Sequence, residues 1–241
     1  MPRKPRYKRV LLKLTGEKFG GESARGLDFP SIRRIARYLH GLSRDTKVQI
    51  AIVVGGGNLF RGREVDGDRN VDIAQADYIG MMATVMNALA LQMELEAVGA
   101  KVRVMSSLRV DEACEPFIRR RAIHHMEKGY IVVLGGGSGK PFFTTDTAAA
   151  LKAAELNCDV LLKGSNVEGV YDRDPNRNPG AVLHKHITYE QALRERLMVM
   201  DMEAFSLCER RGIPIVVFSL KDLGNIRKIL AGEEVGTTVT R

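Results

Sequence analysis

Cysteine is scarce in this chain. Cys114, Cys158 and Cys208 are widely spaced and odd in number. That excludes a complete disulfide framework and leaves no CxxC pair for metal or redox chemistry, so each reads as a small apolar residue. Histidine offers no better ligand set. His124 and His125 are adjacent on one predicted helix and point to different faces, while His184 and His186 have no third ligand nearby. Zinc is not expected. Long hydrophobic runs are also missing, and none approaches the length needed to cross a bilayer. The basic N-terminus, Met1 to Arg9, lacks the apolar block and cleavage site of a signal peptide. The cytoplasm is the expected compartment.

What is present is an ordinary globular composition. The length, 241 residues, suits one large domain or two small ones. A net charge of +8 suits anionic partners: nucleotides, nucleic acid or phosphorylated metabolites. The Arg3 to Arg9 cluster reads as a solvated tail, because Tyr7 alone gives little support for stacking on nucleic acid.

The stretch that organises the chain is Val132 to Asp146, VVLGGGSGKPFFTTD. An apolar strand ends in glycines and polar groups, then runs into a helix predicted over 147–156. Glycines let a ligand approach main-chain N–H groups closely, and the dipole at a helix start favours an anion. A second copy of the pattern, Ile50 to Val54 followed by Gly55-Gly56-Gly57-Asn58, makes a tight turn without a ligand hard to sustain. Two further strands, Val10 to Lys13 and Val160 to Lys163, each end in lysine. A lysine closing a buried strand is costly unless it meets an anion.

Between these lie Gly20 to Gly26, read as a flexible loop, and a helix capped by Asp28 with Pro30 in its first turn. Arg61 to Asp72 reads as a charged loop containing Arg63. A long helix is predicted over 74–98, with Asp77 near its start and a stripe of Met81, Met82, Met86 and Met93 for core or subunit packing. A strand is predicted over 101–105 and a helix over 116–128, the latter with Arg119 to Arg121 on a solvated face. Turns follow at Gly169 and Asp174-Pro175, then helices over 189–196 and 203–211. A strand over 215–218, a short helix over 226–230 and an edge strand over 237–240 complete the pattern.

Alternating strands and helices predict an α/β chain with a central, mainly parallel sheet covered on both faces. Ligands of such sheets bind beyond the carboxyl ends of the strands. Lys13, Gly55 to Asn58, Gly135 to Asp146 and Lys163 should therefore gather on one rim. No standard phosphate loop accounts for them. The Walker A spacing fails at Leu134 and Pro141, the dinucleotide fingerprint fails at Phe60, and HRD and DFG are absent.

The blocks Lys13 to Glu17, Gly55 to Gly62, Asp77 to Asn87, Pro141 to Asp146, Gly169 to Pro175 and Val199 to Asp201 stand in this order. In them the chain resembles the bacterial UMP kinases (uridylate kinases) of the amino acid kinase superfamily, over nearly all of its length after the tail. That resemblance implies a three-layer α/β/α sandwich, with a UMP-binding lobe at about 10–157 and an ATP-binding lobe at about 158–241. It implies reversible, Mg2+-dependent transfer of the ATP γ-phosphoryl to UMP, giving UDP and ADP in the biosynthesis of UTP and CTP. It also implies a homohexamer, with GTP as activator and UTP as inhibitor.

Carried over by position, Lys13, Leu14, Thr15, Gly16, Gly57 and Arg61 face ATP phosphates or the transferring group. Gly56 and Asp77 hold UMP, Asp77 on the ribose hydroxyls. Ser138, Gly139, Lys140, Pro141, Phe142, Phe143, Thr144 and Thr145 wrap the uracil and UMP phosphate. Ser165, Asn166, Tyr171 and Asp174 line the adenosine side. Lys13, Arg61, Asp146 and Lys163 are the catalytic candidates. Magnesium is held mainly by ATP phosphates, with Asp146 outside its direct ligands or, alternatively, serving as a helix N-cap. The chain departs from the usual family pattern at Thr15, Ser138 and Lys140, where Ser, Thr and Asn are customary. Two alternatives stand: another small-molecule kinase of the superfamily, acting on a carboxylate or carbamate, and a nucleotide-sensing regulator that binds nucleic acid.

Overall fold

In a β-strand successive side chains alternate between faces, so a strand apolar at every position must be covered on both. The chain has several such strands. A computed structural model describes residues 5–61, 71–197 and 200–241. The expectations that fall on Arg3, on Gly62 and Arg63 of the charged loop, and on Val199 lie outside the described residues.

The chain begins with β1 (Arg9–Leu14), a 3-10 segment (Gly16–Ser23), α1 (Phe29–Thr46), β2 (Gln49–Val54) and α2 (Ile73–Ala97). Then come β3 (Val102–Ser106), β4 (Glu115–Pro116), α3 (Arg119–Glu127), β5 (Ile131–Gly135) and α4 (Thr145–Glu155). The second part holds β6 (Val160–Ser165), β7 (Val170–Tyr171), β8 (Leu183–His184), β9 (His186–Thr188), α5 (Tyr189–Arg194) and α6 (Met202–Arg211). It closes with β10 (Ile215–Ser219), α7 (Gly224–Leu230) and β11 (Thr237–Thr240).

Among the described residues, nine strands form one sheet in the order β4-β3-β5-β2-β1-β6-β10-β11-β9. Only the β10–β11 pairing in it is antiparallel. Strand alternation sorts the core into two layers. Val10, Leu12, Leu14, Ile50 and Ile52 pack under α1, α2 and α7, while Leu11, Ala51, Val53, Val132 and Leu161 pack under α3, α4, α5 and α6. This is the expected three-layer sandwich.

Several boundaries differ from the sequence reading. The stretch 20–26, read as a loop, begins inside the 3-10 segment, where Gly20 lies against the Arg25 backbone. Glu115 and Pro116 form a short strand beside β3, so the helix starts at Arg119. The strand over 237–240 is internal, since β9 pairs along its far side. Arg9 belongs to β1 instead of a solvated tail, and its guanidinium donates to the Leu156 carbonyl at 2.6 Å. Tyr7 is buried too. His184 and His186 fall in different sheets. Burial pushes the Cys158 and Cys208 thiols up to about 12, which keeps them inert.

Candidate active site

Lys13 and Lys163 are register partners on the adjacent parallel strands β1 and β6. They therefore emerge side by side on the face covered by α4. The first turn of α4 supplies Asp146 between them, with Oδ2 at 2.7 Å from Lys163 Nζ and Oδ1 at 3.2 Å from Lys13 Nζ. All three side chains are less than one-fifth exposed. Burial pushes the Asp146 carboxyl upward, but Lys13 and Lys163 outweigh it and hold the group below the usual carboxylate range. Burial also lowers Lys163, and Lys13 adds to this, while Asp146 and Asp201 oppose it. Two cations thus converge on one carboxylate at the carboxyl ends of two strands.

The helix cap beside this cluster is Thr144, not Asp146. Thr144 Oγ1 accepts the N–H groups of Asp146 and Thr147 at 3.0 and 3.4 Å and donates to Asp201 Oδ2. Asp201 caps α6 through the Ala204 N–H and accepts from the Thr147 hydroxyl, each at 2.8 Å. One carboxylate thus ties the starts of two helices together. Sequence alone assigns Asp201 no role, although it lies in the Val199 to Asp201 motif.

A cavity of about 410 Å³ opens next to Lys13. Its walls are the turn after β1 (Thr15, Gly16), the first glycine triplet, Phe60 and Arg61, the start of α2 with Asp77, and Gly137 with Phe143 to Thr145. Glycine is required where these parts meet. A Cβ on Gly56 would lie 2.8 Å from the Gly80 carbonyl of α2, and one on Gly16 would lie 2.6 Å from Asn58 Oδ1. Arg61 is braced by the Gly57 carbonyl and by Glu17, each at 2.9 Å, and Glu17 also accepts from Asn166 at 2.6 Å. Glu17 is a site residue that the sequence reading left without a role. Asp77 Oδ2 accepts the Phe142 N–H at 2.7 Å, holding that residue at φ +69°.

Most of the other expected residues lie outside this cavity. The Ser138 hydroxyl closes a local turn with Lys140, donating to its carbonyl and accepting its N–H. Gly139 adopts φ +77° against the Ser107 carbonyl, and Lys140, Phe142 and Phe143 are exposed. Tyr171 and Asp174 line a separate cavity of about 370 Å³ with Val167 and Leu197. Ser165 ends β6, and its carbonyl accepts from Leu220. The larger cavity of about 540 Å³, beside Lys47, Lys101 and Tyr130, lies at the opposite ends of the strands and touches none of these groups.

Comparison with known proteins agrees with this geometry. The amino acid kinase family matches residues 8–219. A uridylate kinase of Erythrobacter litoralis is 49% identical over 235 residues, covering 98% of both chains. The chloroplastic uridylate kinase PUMPKIN of Arabidopsis thaliana is also 49% identical, across 97% of this chain and 69% of its own length. The crystal structure of UMP kinase from Bacillus anthracis superposes with a TM-score of 0.92 at 36% identity, covering 97% of this chain and 96% of that one. The chain belongs to the amino acid kinase family, among its uridylate kinases.

Proposed function

We infer that the protein transfers the γ-phosphoryl of ATP to UMP, releasing ADP and UDP. The observation that carries this reading is the Lys13–Asp146–Lys163 cluster beside a cavity walled by both glycine turns and Asp77. Two polyanions meeting head to head repel each other, so a phosphotransferase must place cations and N–H donors between them. In our reading an oxygen of the UMP phosphate attacks the γ-phosphorus. The bond from that phosphorus to the β–γ bridging oxygen breaks, and ADP leaves with the electron pair. The attacking oxygen is already ionised near neutral pH, so no general base is required.

The roles follow from position. Lys13 and Lys163 neutralise charge on the moving group, Arg61 reaches the same phosphates, and Asp146 keeps the lysines apart and aimed. Asp77 accepts from the ribose hydroxyls, while Tyr171 and Asp174 take the adenosine. On this reading the two lobes divide near residue 157. Among the described residues no three His, Cys, Asp or Glu side chains gather to hold a metal ion. Both Asp146 oxygens face lysines, although buried Oδ1 has no hydrogen-bond partner. These residues fit a magnesium ion that arrives on ATP phosphates, with Asp146 outside its direct ligands. When bound, that ion would neutralise phosphate charge.

Among the described residues no helix is long and apolar enough to cross a membrane. We assign the protein to the cytoplasm, as a homohexamer activated by GTP and inhibited by UTP; these assignments rest on the family resemblance. An ADP-coupled assay with UMP, CMP, dUMP and acetylglutamate tests the central reading. Turnover with UMP well above the others is expected, and turnover confined to acetylglutamate would overturn it.

A further inference from the structure

Helix α2 carries two buried polar side chains that the phosphotransfer reading leaves without a role, Thr84, at the wall of the 410 Å³ cavity, and Asn87, 2% and 0% exposed. A hydroxyl and an amide sealed from water are unfavourable unless partnered, and apolar residues would fill the same space. Their partners are the two glycine turns. Thr84 Oγ1 accepts the Gly136 N–H at 2.8 Å and donates to the Met81 carbonyl at 2.6 Å. Asn87 Nδ2 donates to the Gly55 carbonyl and to Asn58 Oδ1, each at 2.7 Å. Asn87 Oδ1 accepts from Asn58 Nδ2 at 3.0 Å, and Asn58 Nδ2 also reaches the Gly26 carbonyl at 2.7 Å.

The two asparagines form a closed amide pair. One of its oxygens, Asn58 Oδ1, lies against Gly16, in the turn that follows Lys13. Asp77, on the same helix, holds the Phe142 N–H. Residues 77, 84 and 87 fall on one side of a helix with 3.6 residues per turn. One helix face therefore holds both glycine triplets and the segment that follows the second.

We propose that Thr84 and Asn87 are positioning residues, which fix the two glycine turns in the orientation their main-chain N–H groups need to grip phosphate. This rests on the phosphotransfer reading above and adds what sets the geometry of the cavity. Simple packing would tolerate an apolar residue of equal shape. A positioning role would not, because a displacement of about 1 Å in a reacting group can cost on the order of a hundredfold in rate.

The test compares Thr84→Val, Thr84→Ser, Asn87→Leu and Asn87→Asp by steady-state kinetics on both nucleotides. It adds amide hydrogen exchange of the nucleotide-free protein. Thr84→Val keeps the shape and removes the hydroxyl that holds Gly136. It should raise KM for UMP about tenfold or more, with KM for ATP within about twofold, and Thr84→Ser should restore most of the loss. Exchange at the Gly136 N–H should quicken in Thr84→Val and not in Thr84→Ser. Asn87→Leu should lower kcat about tenfold or more, because the first turn faces the transferring group. Should it fail to fold, Asn87→Asp still removes the donor to Gly55 while keeping volume and an acceptor for Asn58.

A folded Thr84→Val with parental KM for UMP and parental Gly136 exchange would overturn the proposal. So would a Thr84→Ser no better than valine. A parent protein that does not phosphorylate UMP defeats the functional reading instead, and Gly136 exchange still decides whether Thr84 holds the turn.

Discussion

Asp146 sits where two lysines would otherwise face each other across adjacent strands, and that arrangement has measurable consequences. Its folded-state pKa is depressed, so the stability it contributes is present above the ordinary carboxylate value and is lost as pH falls through the lowered one. Asp146→Asn removes the shared anion and leaves Lys13 and Lys163 buried together. Breaking a buried ion pair in this way should destabilise by about 3 kcal/mol at pH 7. Lys163 is already lowered from 10.5, and without Asp146 it falls further. The unfolded chain then binds more protons, so the stability of the variant should rise as pH climbs toward that value. Urea melts across the alkaline range would show it, and a deficit that does not shrink would contradict the ion-pair account. For the reaction, Lys13→Ala should lower kcat by about a hundredfold or more, as for one lost electrostatic donor in a dry site. A folded variant with near-parental kcat removes Lys13 from the mechanism. Both lysines were legible because a charge that ends an apolar strand stands out. Glu17 and Asp201 were not, since an acid in a polar turn looks the same whether it braces an arginine or faces water.

Elements were legible wherever local chemistry alone decides them. Asp28 caps α1 by accepting the Ser31 N–H at 2.9 Å, with Pro30 in the first turn, and that end was predicted from residue type alone. The cap of α4 was harder, because Thr144, Thr145 and Asp146 are all competent caps and only the fold selects Thr144. The strand β11 was read as an edge because β9 has three residues and no apolar alternation to announce it. What fixes β11 lies outside it: the Thr237 hydroxyl accepts the Val170 N–H at 2.8 Å and donates to the His184 carbonyl, joining the small sheet to the large one. Gly236, just before it, has φ +68°, and a Cβ there would lie 2.0 Å from the Val217 carbonyl. Gly236→Ala combines left-handed strain with a backbone clash and should destabilise by about 3 kcal/mol. A denaturation midpoint unchanged from the parent would show that this turn relaxes freely.

At the scale of the whole molecule, the strand order brings β1, β2, β5 and β6 together at the centre of the sheet, so their carboxyl ends share one rim. The prediction of a common rim needed only the chain pattern. Which strand neighbours which did not follow from the pattern, because every central strand is comparably apolar. The same ambiguity attends α2, which is apolar around much of its circumference. Its inner side is accounted for by Ala88, Leu91 and Leu95 in the core and by Thr84 and Asn87 on the glycine turns. Its outer side presents Ile79, Met82, Met86 and Met93, all more than 40% exposed, with part-buried Leu89 completing the spacing 79, 82, 86, 89, 93. Alternating steps of three and four form the seam by which one helix packs against another. An apolar stripe of this kind on a surface marks an interaction face, and the homohexamer proposed above predicts a second copy of this chain as its occupant. Of the methionine stripe Met81 is buried, while Met82, Met86 and Met93 are exposed, so core packing accounts for Met81 alone. Met82→Glu with Met86→Glu places charge in that seam, on the outer side of α2, whereas Lys13 emerges on the opposite face of the sheet under α4. Sedimentation velocity should show the parent as an assembly and the double variant as a smaller species. Unchanged assembly would assign the seam another role and move the contact between copies elsewhere on the surface.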